Sequence, residues 1–220
     1  MNYKLFVILL VVFLGFIFSM PVVAQKDAKA KEVLDKASVI LDQAGGLSVT
    51  FTININDEIN KDKHSFEGSM LMKGSKFFYD TPDQSVYYDG KTQWVYNKLF
   101  DEVSIIDPKP QDIQALNPVS TFEIYKTGCD YKYKGEKTDA QKRKVHEISL
   151  FPKDKKEDIK QIDLQINASD YMPVFFKVAY KNGLEYRIYI SKYRTNLNLQ
   201  DNQFVFDTKK YPNAEVNDLR

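Results

Sequence analysis

"PDQSVYYDGKTQWVYNK", residues 82–98, sets Val86, Tyr87 and Tyr88 on one side of Asp89-Gly90 and the only tryptophan, Trp94, with Val95 and Tyr96 on the other. Glycine tolerates the positive φ that a tight hairpin turn demands, so Asp89-Gly90 between two apolar runs reads as a turn joining two strands, 85–88 and 92–96. Outward from that hairpin the pattern repeats. Lys76–Asp80 is a strand that turns at Thr81-Pro82-Asp83, and Glu102–Ile106 is a strand that follows a loop at Asn97-Lys98. Strands this short, at near-regular spacing, signal an antiparallel sheet that curls.

Upstream, "LSVTFTININ" (47–56) alternates Val49, Phe51, Ile53 and Ile55 with Thr50, Thr52, Asn54 and Asn56, which is a strand with one wet face. Ser65–Met72 follows with Phe66, Met70 and Met72 on one side. Before both, Ala30, Val33, Leu34, Ala37, Leu41 and Ala44 recur at helical spacing, so residues 27–44 read as an amphipathic helix capped by Asp27 and stopped by Gly45-Gly46. Downstream, "DPKPQDIQALNPVSTFEIYK" (107–126) breaks the sheet: Asn117 caps a helical segment with Pro118 at its first position. Strands resume at 130–134, 144–151, 159–167, 172–180 and 185–192, with Asn182-Gly183 as a further hairpin turn, and 203–206 is expected to be a last short strand. The sum is a mainly β (α+β) single domain of about eleven antiparallel strands in one curled sheet. An N-terminal helix and a helical insertion are available to cover its concave face.

The chain begins with Lys4, a continuous apolar run from Leu5 to Phe18, and Val22-Val23-Ala24. That is the pattern of a secretory signal peptide over residues 1–24, cleaved before Gln25 to leave 25–220 as the mature domain. No cysteine follows the apolar run to accept a lipid, and the single cysteine, Cys129, has no partner for an internal disulfide. Loss of Lys4 from the 31 basic residues leaves 30 against 30 acidic ones, a formal charge of zero. Without a basic excess, neither nucleic acid nor an anionic membrane is an expected partner.

Catalytic and metal patterns are missing. His64 and His146 both lie in alternating strand segments, where a solvated or edge position is expected, and no second histidine follows His146-Glu147 at zinc-protease spacing. Gly90-Lys91-Thr92 resembles the end of a phosphate-binding loop, but Ser85 stands where the first glycine belongs. Carboxylates gather in charged runs such as "KDKKEDIK" (153–160), which read as solvated surface. No enzyme activity, cofactor or metal is expected.

The rings and methionines point instead to a cavity. Phe51, Ile53, Ile55, Phe66, Met70, Met72, Trp94, Ile162, Leu164, Val174, Phe176 and Ile188 sit on the apolar parity of their strands and are expected to face one concave surface, with Val119 and Phe122 of the insertion over it. Flexible apolar side chains repack around different ligands, which suits an adaptable cavity.

"GSMLMKGSKFFYD" (68–80) together with 82–106 resembles the outer-membrane lipoprotein carrier family LolA. That family shows a strand-opening glycine, a lysine-rich turn, an aromatic strand, a D-G-K-T-x-W-x-Y hairpin and an insertion containing Asn-Pro or Thr-Pro. The matching positions are Gly68, Lys73, Phe78, Pro82, Asp89, Gly90, Lys91, Thr92, Trp94, Tyr96, Val103, Asn117 and Pro118. "FVFDTKKYPNAEVNDL" (204–219) resembles the family's closing strand, turn and hydrophobic end. The resemblance implies a half-barrel with a helical lid over a hydrophobic cavity. It also implies a periplasmic carrier, monomeric, that takes acylated lipoproteins from an inner-membrane lipoprotein-releasing transporter to an outer-membrane acceptor. Related half-barrels sense stray lipoproteins or carry other lipids. Where the family has an Arg-Pro whose arginine latches the lid, this chain has Gly74-Ser75.

Overall fold

The computed structural model describes residues 22–108 and 125–220 of the 220-residue chain. One 12-stranded sheet dominates it, in the order β12-β6-β5-β4-β3-β2-β1-β11-β10-β9-β8-β7. The first half is a meander of β1 (Gly46–Asp57), β2 (Asp62–Lys73), β3 (Lys76–Asp80), β4 (Gln84–Tyr88), β5 (Gln93–Asn97) and β6 (Glu102–Ile106). The second half begins at the opposite edge with β7 (Cys129–Thr138). It returns through β8 (Lys144–Pro152), β9 (Ile159–Asn167), β10 (Pro173–Tyr180) and β11 (Leu184–Arg194) to pair with β1. The sheet curls without closing. Register shifts at Thr50/Phe51, Pro173/Phe175 and Tyr133/Gly135 each add a residue to one strand, which bends it and increases its local twist.

The hairpin of 82–98 forms as its residues dictate. Gly90 takes φ +103, and the Asp89 carboxylate accepts hydrogen bonds from the backbone N–H of Lys91 (2.9 Å) and Thr92 (2.8 Å). A phosphate-binding loop would need those amides free, so the turn excludes one here.

Three expectations need correction. The helix α1 spans Val22–Asp42, so Asp27 lies inside it and does not cap it. Helical geometry continues back through Val22-Val23-Ala24, and removal of residues 1–24 would still leave about five turns. The segment 203–206 is not a strand: Asp201–Phe204 forms a 3-10 turn, and the chain then runs on to β12 (Glu215–Asp218). Alternating Phe204 and Phe206 imitate a strand because both are buried against the sheet, not because they pair within it. β12 lies parallel to β6, the one parallel pairing among the described strands. Finally His146 is buried, not solvated, at 3% exposure.

Candidate functional site

Register decides which side chains share the concave face. In β1 and β2, Leu47 opposes Met72, Val49 opposes Met70 and Ile53 opposes Phe66. Across β11, Ile53 meets Ile188 and Ile55 meets Tyr186, while Phe176 of β10 meets both Ile188 and Leu164 of β9. Ile148 and Leu150 of β8 continue the row opposite Leu164 and Ile162. Phe51 lies across from Gly68, where an added Cβ would stand 2.5 Å from the phenyl ring and 2.9 Å from the Asp80 carbonyl oxygen. Only glycine leaves room for that ring, which stacks on Tyr79 at 5.7 Å.

Over this face lies α1. Its Ala30, Val33, Leu34 and Ala37 are wholly buried and Leu41 nearly so, and these five, with Ala44 just beyond the helix end, join the same apolar cluster as the strands. The stripe read from the sequence is the face that the helix buries. Between the end of α1 and the sheet lies a gap. It is lined by Leu41, by Leu47, Val49 and Phe51 of β1, by Met70 and Met72 of β2, by Pro173 and Phe176 of β10, and by Ile190 and Tyr193 of β11. Its volume is about 20 Å³, room for about one water molecule. No polar side chain but the Tyr193 phenol reaches it, and burial pushes that phenol's pKa up.

Of the twelve residues expected on the concave face, ten meet in this cluster: Phe51, Ile53, Ile55, Phe66, Met70, Met72, Ile162, Leu164, Phe176 and Ile188. Trp94 does not. It pairs with Tyr87, which pairs with Phe78, and these rings occupy the convex side. There Trp94 packs with Tyr96, Val103 and Phe206 in a second, smaller cluster. Val174 is buried but belongs to neither cluster. The register shift between Pro173 and Phe175 breaks the alternation counted back from Phe176, so Pro173 lines the gap and Val174 does not. Val119 and Phe122 lie outside the described residues.

Two contacts that hold the helix join residues too far apart in the chain for any sequence pattern to link them. The Tyr125 hydroxyl donates to the Asp35 carboxylate at 2.7 Å. Burial works to raise the Asp35 pKa, but hydrogen bonds from Lys31 and Tyr125 outweigh it and hold the carboxyl below its ordinary value. Lys36 donates to the Tyr171 hydroxyl at 3.1 Å and also stands 4.7 Å from that ring's centre. Tyr125 immediately follows residues 109–124, so its bond to Asp35 ties the end of that connection to α1. Gly74, by contrast, takes φ +59 in the β2–β3 turn and has open space around the Cβ position. It is a turn residue with a left-handed backbone.

His146 and Cys129 have structural explanations. His146 stacks on Tyr171 and meets the tilted ring of Tyr133, each ring centre 5.9 Å away, and its Nδ1 lies 2.9 Å from the Tyr133 hydroxyl. Burial lowers its pKa, opposed by Glu136 at 3.5 Å. Cys129 is free and buried, its thiol pushed up to about 11 by burial, so it stays protonated and inert at neutral pH. Among the described residues no group of three or more His, Cys, Asp or Glu is placed to hold a metal, and no helix is long and apolar enough to cross a membrane.

The family model for the outer membrane lipoprotein carrier protein LolA matches residues 20–208. No curated protein matches the chain in sequence. An uncharacterized conserved protein from Thermus thermophilus is similar in structure at a TM-score of 0.58 and 14% identity, over 86% of this chain and 99% of its own. That likeness shows a shared fold. LprF from Mycobacterium bovis gives 0.47 at 11% identity, over 79% of this chain and 96% of its own. A LolA superfamily protein from Nitrosomonas europaea gives 0.42 at 13% identity, over 81% and 98%.

Proposed function

The chain belongs to the outer membrane lipoprotein carrier protein LolA family, and from that membership we propose that it is a periplasmic carrier that shelters the acyl chains of lipoproteins between α1 and the concave face of its sheet. The observation that carries this reading is the gap beneath Leu41: it is lined almost wholly by apolar side chains, two of them methionines. At about 20 Å³ it has room for little more than one water molecule. An acyl chain cannot enter it as it stands, so loading must displace α1 and let Met70 and Met72 repack.

The energetics are compatible. A dozen buried methylenes supply on the order of 10 kcal/mol before the costs of association. Displacing part of the helix from the sheet consumes some of that gain, leaving an affinity moderate enough for release. A carrier in a compartment without nucleotide triphosphates must hand over cargo down a gradient of affinity, from an inner-membrane transporter to an outer-membrane acceptor. On this reading residues 1–24 are a signal peptide removed on export, the carrier works as a monomer, and no bond is made or broken in the cavity.

Mass spectrometry of the protein purified from its own host tests the reading. Co-purified acylated lipoproteins are the expected result. Recovery of other lipids alone would make it a carrier of a different cargo, and retention of residues 1–24 in a membrane fraction would refute the export step.

A further inference from the structure

The hairpin between β5 and β6 sets Leu99 and Phe100 side by side at 72% and 74% exposure, the two highest values among the exposed large hydrophobics of the described residues. Single exposed apolar residues are ordinary, but an adjacent pair at a hairpin tip is not. The tip is also held firmly. Asn97 Oδ1 accepts from the backbone N–H of Leu99 (3.0 Å) and of Phe100 (3.3 Å). Asp101 adopts φ +52, its carboxylate accepts from the Tyr96 hydroxyl at 2.8 Å, and its carbonyl accepts from the Glu215 N–H at 2.9 Å. Lys98 is drawn back from the tip, its ammonium on Asp80 (2.7 Å) and the Thr81 carbonyl (2.6 Å). Leu99 and Phe100 are therefore presented by a fixed scaffold, and little ordering entropy remains to be lost when something covers them.

Shape and charge select the partner. A projecting pair without a groove suits a fluid surface that can close around it, whereas a rigid partner would need a matching pocket. The two turns that meet here, 80–83 and 98–102, carry Asp80, Asp83, Asp101 and Glu102 against Lys98, which is already paired with Asp80, and Glu215 bonds to the tip through its main chain. That acidic collar is repelled by anionic lipid and tolerated by headgroups that expose an ammonium. We propose that the Leu99-Phe100 tip is a membrane-touching element that inserts into a zwitterionic lipid surface, bringing the protein against a bilayer without spanning it. The proposal is independent of what the cavity holds.

Co-sedimentation of the purified protein with lipoprotein-free phosphatidylcholine–phosphatidylethanolamine vesicles tests it. Leu99→Ser/Phe100→Ser should lower the vesicle partition coefficient by about tenfold or more, with an unchanged circular dichroism spectrum. Raising the fraction of phosphatidylglycerol should weaken wild-type binding. Phe100→Trp should keep the affinity and gain quenching by lipids brominated along the chain, above the baseline set by Trp94. Three results would overturn the proposal: wild-type protein that leaves vesicles unbound, a double variant that binds as wild type does, or binding strengthened by anionic lipid. A dimer of the wild type that the double variant dissolves would assign the tip to a second copy of the chain, and so would also overturn it.

Discussion

On the proposed reading, Leu41→Ala should loosen the unliganded protein and tighten its hold on an apolar ligand. Leu41 is 8% exposed and lines the gap between α1 and the sheet. Truncation removes three buried carbons, about 2.4 kcal/mol of transfer free energy. The cavity left behind raises the usual cost of such a change to roughly 2.7–5 kcal/mol. Because Leu41 sits at the rim of a gap that already exists, the cost should fall near the lower end, about 3 kcal/mol. In the loaded state a ligand occupies that space, so most of the loss is confined to the empty state. If half of it is recovered on binding, affinity rises about tenfold. Urea unfolding measures the first effect, and titration with a fluorescent fatty acid measures the second. Val39, half exposed on the same helix, is the control, since Val39→Ala should move stability by no more than about 0.5 kcal/mol. A Leu41→Ala protein that loses stability as expected but binds the probe no better would refute loading beneath α1.

Three further outcomes follow from the same contacts. Tyr125→Phe deletes the bond to Asp35 and should cost about 1–2 kcal/mol, with faster amide hydrogen exchange around Tyr125 and in the middle of α1; unchanged exchange would mean that the bond does not hold the helix. His146 has a folded pKa below its ordinary 6.5, so the unfolded chain binds the extra proton: its contribution is complete above about pH 6.5 and lost as pH falls through the lower folded value. The urea midpoint should therefore drop between about pH 7.5 and 5.5, and drop less in His146→Gln. Gln93 Oε1 is the one buried side-chain polar atom of the described residues without a partner, so Gln93→Met, which removes that acceptor at similar volume, should leave the melting temperature unchanged or raise it; a fall would reveal a bond to solvent or ligand.

How much of this was legible depends on how many faces of a strand are wet. In β1, Thr50, Thr52, Asn54 and Asn56 mark the solvent side, so Phe51, Ile53 and Ile55 could be assigned from alternation alone. In β3 to β5 both parities carry large side chains, as in Phe77-Phe78, Tyr87-Tyr88 and Trp94-Val95. Alternation then says nothing about which row faces the helix, and only the cross-strand register does. Trp94, expected on the concave face, lies on the other. Val174 failed differently, because a one-residue register shift reverses every parity beyond it. His146 was unreadable because its burial is made by Tyr133 and by Tyr171, which is 25 residues away in the chain.

The misplaced rings explain what the hairpin of 82–98 is for. Phe206 packs against Tyr87 (5.7 Å), Tyr96 (5.4 Å) and Tyr211 (5.0 Å), and Tyr96 also meets Tyr211 at 4.5 Å. These contacts clamp the segment after β11 across the convex side and deliver β12 to the β6 edge, where its main chain pairs in parallel. The convex side is thus fixed by interlocked aromatic contacts and backbone hydrogen bonds. The concave side is held by apolar packing of α1, together with the side-chain contacts of Asp35 with Tyr125 and of Lys36 with Tyr171. Bending the sheet would break backbone hydrogen bonds along many strands at once. Lifting the helix exposes apolar surface that an acyl chain can cover again. The cheaper motion is the helix, so on the proposed carrier reading the half-barrel should keep its curvature through loading and release while α1 moves. Hydrogen exchange with and without bound fatty acid would then change in α1 and leave β3 to β6 unaltered; protection changing along those strands would overturn the division of the fold into a rigid back and a movable cover.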